Sequence, residues 1–122
     1  MGILYITTDL FFSSRVGSLA RDRGLAIEVV APLAAAQKIN TELQLVLIDL
    51  TQRSLDVALL VETVREKASS ATIIAYGPHV DQAALSAAQD AGCDEVMPRS
   101  QFDQQLVSIL ERFQEGDSGA PD

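Results

Sequence analysis

The chain predicts a doubly wound α/β fold, a five-stranded parallel sheet in the order 2-1-3-4-5 with five helices, and three observations carry that prediction. Strand-like and helix-like segments alternate from one end to the other, the pattern of βαβ units joined by right-handed crossovers. The run Leu45-Val46-Leu47-Ile48 is apolar at every position, as a central parallel strand covered on both faces must be. Gly24, Pro32, Gly77-Pro78 and Gly92 punctuate the boundaries between segments.

Taken in order, Ile3 to Ile6 reads as the first strand, followed by a helix that places Phe12, Val16, Leu19 and Ala20 on one face until Gly24 stops it. Leu25 to Ala31 is the second strand, and Pro32 suits the first turn of a short alanine-rich helix ending near Asn40. Leu43 to Leu50 is the third strand. Ser54 offers a cap for a third helix with Val57, Leu60, Val61 and Val64 as its apolar stripe and Arg53, Glu62, Arg65 and Glu66 left to water. Thr72 to Tyr76 is the fourth strand. Asp81 caps an alanine-rich helix that Gly92 terminates, its Ala83, Ala84, Ala87, Ala88 and Ala91 permitting close approach to the sheet. Cys93 to Met97 makes the fifth strand. Ser100 and Asp103 resemble a capping box ahead of Phe102, Leu106, Ile109, Leu110 and Phe113, which recur at helical spacing. Residues 1–114 therefore form one domain, and 115–122, which have nothing to bury, read as a disordered tail.

Composition excludes several classes. A formal charge of −8 argues against a nucleic-acid surface, which needs clustered Lys and Arg. The chain opens on a strand-like segment with no basic region followed by a long apolar core, and no apolar run approaches the ~20 residues of a membrane span. One cysteine permits no internal disulfide and no multi-cysteine zinc site. Cytoplasmic localisation is the expectation.

Carboxyl ends of parallel strands are where such sheets do their chemistry. The predicted order sets the exit of strand 1 beside that of strand 3, and the rim then collects Thr7, Thr8, Asp9, Asp49, Gly77 and Arg99. Asp49, at the end of the central strand, is the leading functional residue. Asp9 and Asp49 are the only pair offered to a metal, an incomplete set for Mg²⁺, which wants a near-octahedral shell of oxygens. Other roles remain open on residue type alone. Thr7 and Thr8 are strand-end hydroxyls or part of an anion site, Asp9 is a helix cap or a functional acid, and Arg99 is solvated or paired with Asp49 or another rim carboxylate. His79 reads as a loop residue and Cys93 as a small buried one.

The alternating units, Asp49 ending the third strand and the run AlaGlyCysAspGluValMetProArg before the last helix together resemble the receiver domain of bacterial response regulators. The resemblance spans about residues 2 to 113 and implies the CheY-like form of the flavodoxin-like fold. It also implies that Asp49 stands at the position that accepts a phosphoryl group in a two-component phosphorelay, where Mg²⁺ is held with the help of an acidic pair ending strand 1. Thr7 and Thr8 occupy the place of that pair, Gly77 that of a Thr or Ser ending strand 4, with Tyr76 there instead if the loop differs by one residue, and Arg99 that of a Lys ending strand 5. Val96 falls where an aromatic residue reports the switch.

Three functions follow as expectations. The first is a stand-alone atypical receiver-like domain, not an enzyme and without a cofactor, which signals through protein–protein contact at the face of helix 4, strand 5 and helix 5 and is able to homodimerise. The second is an active receiver phosphorylated on Asp49 with Mg²⁺. The third is a small-ligand carrier of flavodoxin or cobalamin-binding type.

Overall fold

Apolar side chains, most of them β-branched or leucine in the first four, build five short strands, β1 (Gly2–Ile6), β2 (Ala26–Val30), β3 (Leu43–Asp49), β4 (Thr72–Gly77) and β5 (Glu95–Pro98). They pair in parallel in the order β2-β1-β3-β4-β5, as the sequence predicts. The computed structural model describes residues 2–52 and 55–114. Five helices connect the strands: α1 (Leu10–Asp22), α2 (Pro32–Lys38), α3 (Val57–Lys67), α4 (Gln82–Ala91) and α5 (Arg99–Glu111).

Successive side chains of a strand point to opposite faces, so each strand feeds two cores. Leu45 and Leu47 join Ile3, Tyr5, Ile74 and Tyr76 under α1 and α5, whereas Val46 and Ile48 join Leu4, Ile6, Ile73 and Ala75 under α2, α3 and α4. All four residues from Leu45 to Ile48 are completely buried, which explains the unbroken apolar run. At the sheet edge, β2 is half covered, and Val29 stays exposed.

Aspartate starts three of the helices. Asp9, Asp56 and Asp81 each accept a hydrogen bond from the backbone N–H three residues on, at Phe12, Leu59 and Ala84. The cap of α3 is thus Asp56; Ser54, expected in that role, lies outside the described residues, as do Arg53 and the tail from 115. The capping box expected at Ser100 and Asp103 does not form. Pro98 is extended and α5 begins at once with Arg99, which puts Ser100 inside the first turn, and Asp103 pairs with Arg15 of α1 instead. At the other end of α4, Gly92 adopts φ 102°, a left-handed conformation that closes the helix as expected. Of the α4 alanines only Ala88 is buried; Ala83 and Ala87 face outward.

Arg65 ties three elements together at the opposite edge of the sheet. Its guanidinium donates to the carbonyls of Ala71 and Gly92 and pairs with Asp94 at 3.1 Å, while Asp94 accepts the Ile73 N–H. Cys93 sits beside this knot, ahead of β5 rather than in it, and burial pushes its thiol up to about 11. A raised pKa means less thiolate at a given pH, so alkylation by iodoacetamide at pH 8 is expected to run ~100-fold slower than for a free thiol. Intact mass against time checks this, and unfolding in urea should abolish the protection.

No helix among the described residues is long and apolar enough to cross a membrane.

Candidate functional site

Parallel register sets Ile6 of β1 opposite Ile48 of β3, so the residues that follow, Thr7 and Asp49, meet at the carboxyl edge. The Asp49 side chain is only 3 % exposed. A carboxylate so deep needs hydrogen-bond donors, and it has three. Thr7 Oγ1 donates to Oδ2 at 2.6 Å, while the backbone N–H and the Oγ1 of Thr51 donate to Oδ1 at 3.0 and 2.7 Å. Thr7 also accepts the Asp9 N–H at 3.0 Å, and its own N–H is taken by Val30, so the hydroxyl is fixed at both ends. Gln52 straps the loop across the pocket, its Nε2 donating to the carbonyls of Ile6 and Asp49 at 3.1 and 2.8 Å.

Asp9 and Arg99 form a separate unit. Asp9 Oδ1 caps α1, and Oδ2 lies 3.1 Å from Arg99 Nη2. The Arg99 guanidinium also lies over the Phe12 ring, 4.6 Å from its centroid. Arg99 therefore takes the rim carboxylate at the head of α1, and its partner is Asp9 rather than Asp49. Both groups are partly solvated, and the pair contributes about 1 kcal/mol at most. Thr8 is exposed.

The expected rim residues thus divide into two sets. Thr7 is joined to Asp49, and Asp9 to Arg99, with the Thr7 hydroxyl bridging the sets through the Asp9 N–H. This donor set is a poor fit for Mg²⁺. Asp9 is committed on both oxygens, Asp49 is held by hydroxyl and amide donors, and among the described residues no three His, Cys, Asp or Glu side chains group together.

Gly77 ends β4 beside Pro98, where a side chain would be tight against Leu50. A Cβ there would lie 3.2 Å from the Leu50 Cβ, and Leu50 is held in place by its N–H bond to the Tyr76 carbonyl. The apolar side chain that follows Asp49 thus crowds the residue expected, from the resemblance, to stand in place of a Thr or Ser.

Thr51, Gln52 and Tyr5 were not singled out by sequence. Asp49-Leu50-Thr51 is an Asx-turn pattern that could have flagged Thr51. Beneath the rim the phenols of Tyr5 and Tyr76 are hydrogen-bonded to each other, fully buried. Burial pushes both far above the ordinary phenol range, and the nearby Asp49 charge adds to the shift. Tyr76 stacks on Phe102 with centroids 4.5 Å apart and meets the Phe12 ring edge-on. Val96, at the expected aromatic position, is a partly buried residue of the other core.

Replacing Thr7 by Val keeps the shape and removes the donor to a buried carboxylate. Stability is expected to fall by about 1–3 kcal/mol, read from urea denaturation, with Thr8→Val as the near-silent control.

This strand order with its five helices is the fold of receiver domains, the CheY-like form of the flavodoxin-like fold. No protein-family model and no curated protein matches the chain. Among solved structures it is similar to the signal receiver domain of a response regulator from Bermanella marisrubri, with TM-score 0.74, 19% identity and coverage of 90% of this chain and 94% of that one. An orphan response regulator of H. pylori matches with TM-score 0.69 and 16% identity, over 93% and 92% of the two chains. A response regulator protein from Burkholderia pseudomallei, solved with a phosphorylated aspartic acid, calcium ion and citrate, matches with TM-score 0.69 and 16% identity over 98% of this chain and 75% of that one.

Proposed function

We propose that the chain is a receiver-like signalling domain of the cytoplasm that acts by recognising another protein, with no catalysis of its own and without phosphorylation of Asp49. One observation carries this reading: the Asp49 carboxylate is held by neutral donors from Thr7 and Thr51 while Arg99 is engaged by Asp9. Phosphoryl transfer to a carboxylate depends on cations that neutralise charge on the moving group. Here the acid serves as a structural acceptor that joins β1 to the β3–α3 loop. The fold shared with an orphan response regulator is in keeping with the reading.

The face of α4, β5 and α5 is one route for such recognition, by likeness to the receiver pattern. Val107 is the one large apolar side chain exposed on those elements among the described residues.

Amide spectra of ¹⁵N-labelled protein recorded with Mg²⁺ and beryllofluoride test the proposal. Thr7, Asp49, Thr51 and Gly77 are expected to stay unshifted. Saturable shifts there, or a base-labile phosphate that disappears in Asp49→Asn, would support the active-receiver reading instead.

A further inference from the structure

Large apolar side chains that no core uses gather between α2 and α3. The groove there has a volume of about 290 Å³ and is lined by Pro32, Leu33, Ala36, Leu55, Leu59 and Thr63. Leu33 is 87% exposed and Leu59 57%. Neither serves the domain's own packing, because α2 buries Ala35 and α3 buries Leu60, Val61 and Val64. Two exposed leucines lining one concave strip have the form of an anchor site rather than of scattered surface leucines.

The charges around the groove select its occupant. Asp56 stands in its wall, and Glu62 and Glu66 are exposed on α3 with no ion pair among the described residues. Among the described residues the nearby bases are engaged elsewhere, Lys38 by Glu28 at 3.0 Å and Arg65 by Asp94; Lys67 at the end of α3 offsets only part of the acidic flank. A second copy of this chain would bring a charge of −8 to an acidic strip, and residues 115–122 carry Glu115, Asp117 and Asp122 with no base. Both are repelled. The groove is walled by two helices whose backbone groups bond internally, so an extended strand finds no ladder to join, whereas a helix satisfies its own backbone.

We propose that the α2–α3 groove docks an amphipathic helix of a partner protein, its apolar stripe on Leu33 and Leu59 and its flanking Lys or Arg residues against Asp56, Glu62 and Glu66. This rests on the protein-recognition reading above and names a surface and a partner chemistry for it.

The probe is a fluorescein-labelled four-turn peptide of Leu and Lys with Leu at i, i+3, i+4 and i+7, beside a peptide of the same composition with the stripe scrambled. Anisotropy should show saturable binding of the first, weakened by added salt, and amide shifts should concentrate at residues 32–36 and 55–63. Leu59→Glu should weaken binding at least about tenfold, and the Glu62→Gln, Glu66→Gln pair should reduce its salt dependence, with circular dichroism unchanged in both. Equal binding of the scrambled peptide, no binding, or shifts centred on Val107 would overturn the proposal. The response to beryllofluoride is read in the same spectra. Loss of peptide binding without that response overturns the groove alone, whereas a beryllofluoride response at Asp49 overturns the phosphorylation-independent reading.

Discussion

Phe102→Ala is expected to destabilise the domain by about 3–5 kcal/mol, a large share of the ~5–15 kcal/mol that holds a domain of this size folded. Phe102 is fully buried, stacked on Tyr76 and edge-on to Phe12, whose ring centroid lies 5.9 Å away. Truncation removes both ring contacts and opens a void between α5 and β4 that the short, tightly covered strand cannot collapse to fill. The effect should reach the rim, because Tyr76 hydrogen-bonds Tyr5 and pairs in register with Asp49. Urea denaturation measures the loss. Phe11→Ala, one position from Phe12 but 92% exposed, serves as the control and should change stability by no more than about 0.5 kcal/mol. A Phe102→Ala loss below about 1.5 kcal/mol would show that the aromatic cluster is not the keystone of that face.

Alkali should unfold the protein abruptly. The chain has two tyrosines, and both are buried with their phenols pushed above the usual range by loss of hydration. The unfolded chain releases those protons near pH 10 and the folded one does not, so the unfolded state binds fewer protons and stability falls as pH rises from there. Each phenol contributes a slope of about 1.4 kcal/mol per pH unit, and the pair about twice that. Cys93 adds to the loss from its ordinary value upward, until its own folded value of about 11 is passed. Absorbance of phenolate at 295 nm should stay flat until circular dichroism is lost, then appear for both tyrosines together. Phenolate forming gradually in a chain that keeps its helices would contradict the buried pair.

The architecture was legible because it rests on signals local in sequence. The unbroken apolar run of β3 required cover on two faces, Asp9 and Asp81 stood where helix caps belong, and Gly92 stopped α4. Helix starts failed where two neighbouring residues competed. Asp56 caps α3, and the extended Pro98 starts α5 before Ser100 can act. The position of Asp49 was equally plain, since it depends only on where a strand ends. Its partners were not, because Thr7 reaches it through register across 42 positions and Thr51 through the exact turn of the following loop. The Tyr5–Tyr76 pair, 71 residues apart, was not legible either: Tyr5 reads as an ordinary strand residue and Tyr76 as a neighbour of the Gly77 position until the sheet places them side by side.

The three aspartates that begin α1, α3 and α4 bear on more than helix stability. Helix amino termini present unpaired amides and a partial positive charge, and in sheets of this type they converge on the ligand-bearing edge, where they would welcome a phosphate. In this protein the amide hydrogens of Phe12, Leu59 and Ala84 are already occupied by built-in carboxylates. At these three helix starts a free anion would have to compete for those amides with tethered carboxylates at high local concentration, whereas α2 and α5 begin without a side-chain cap.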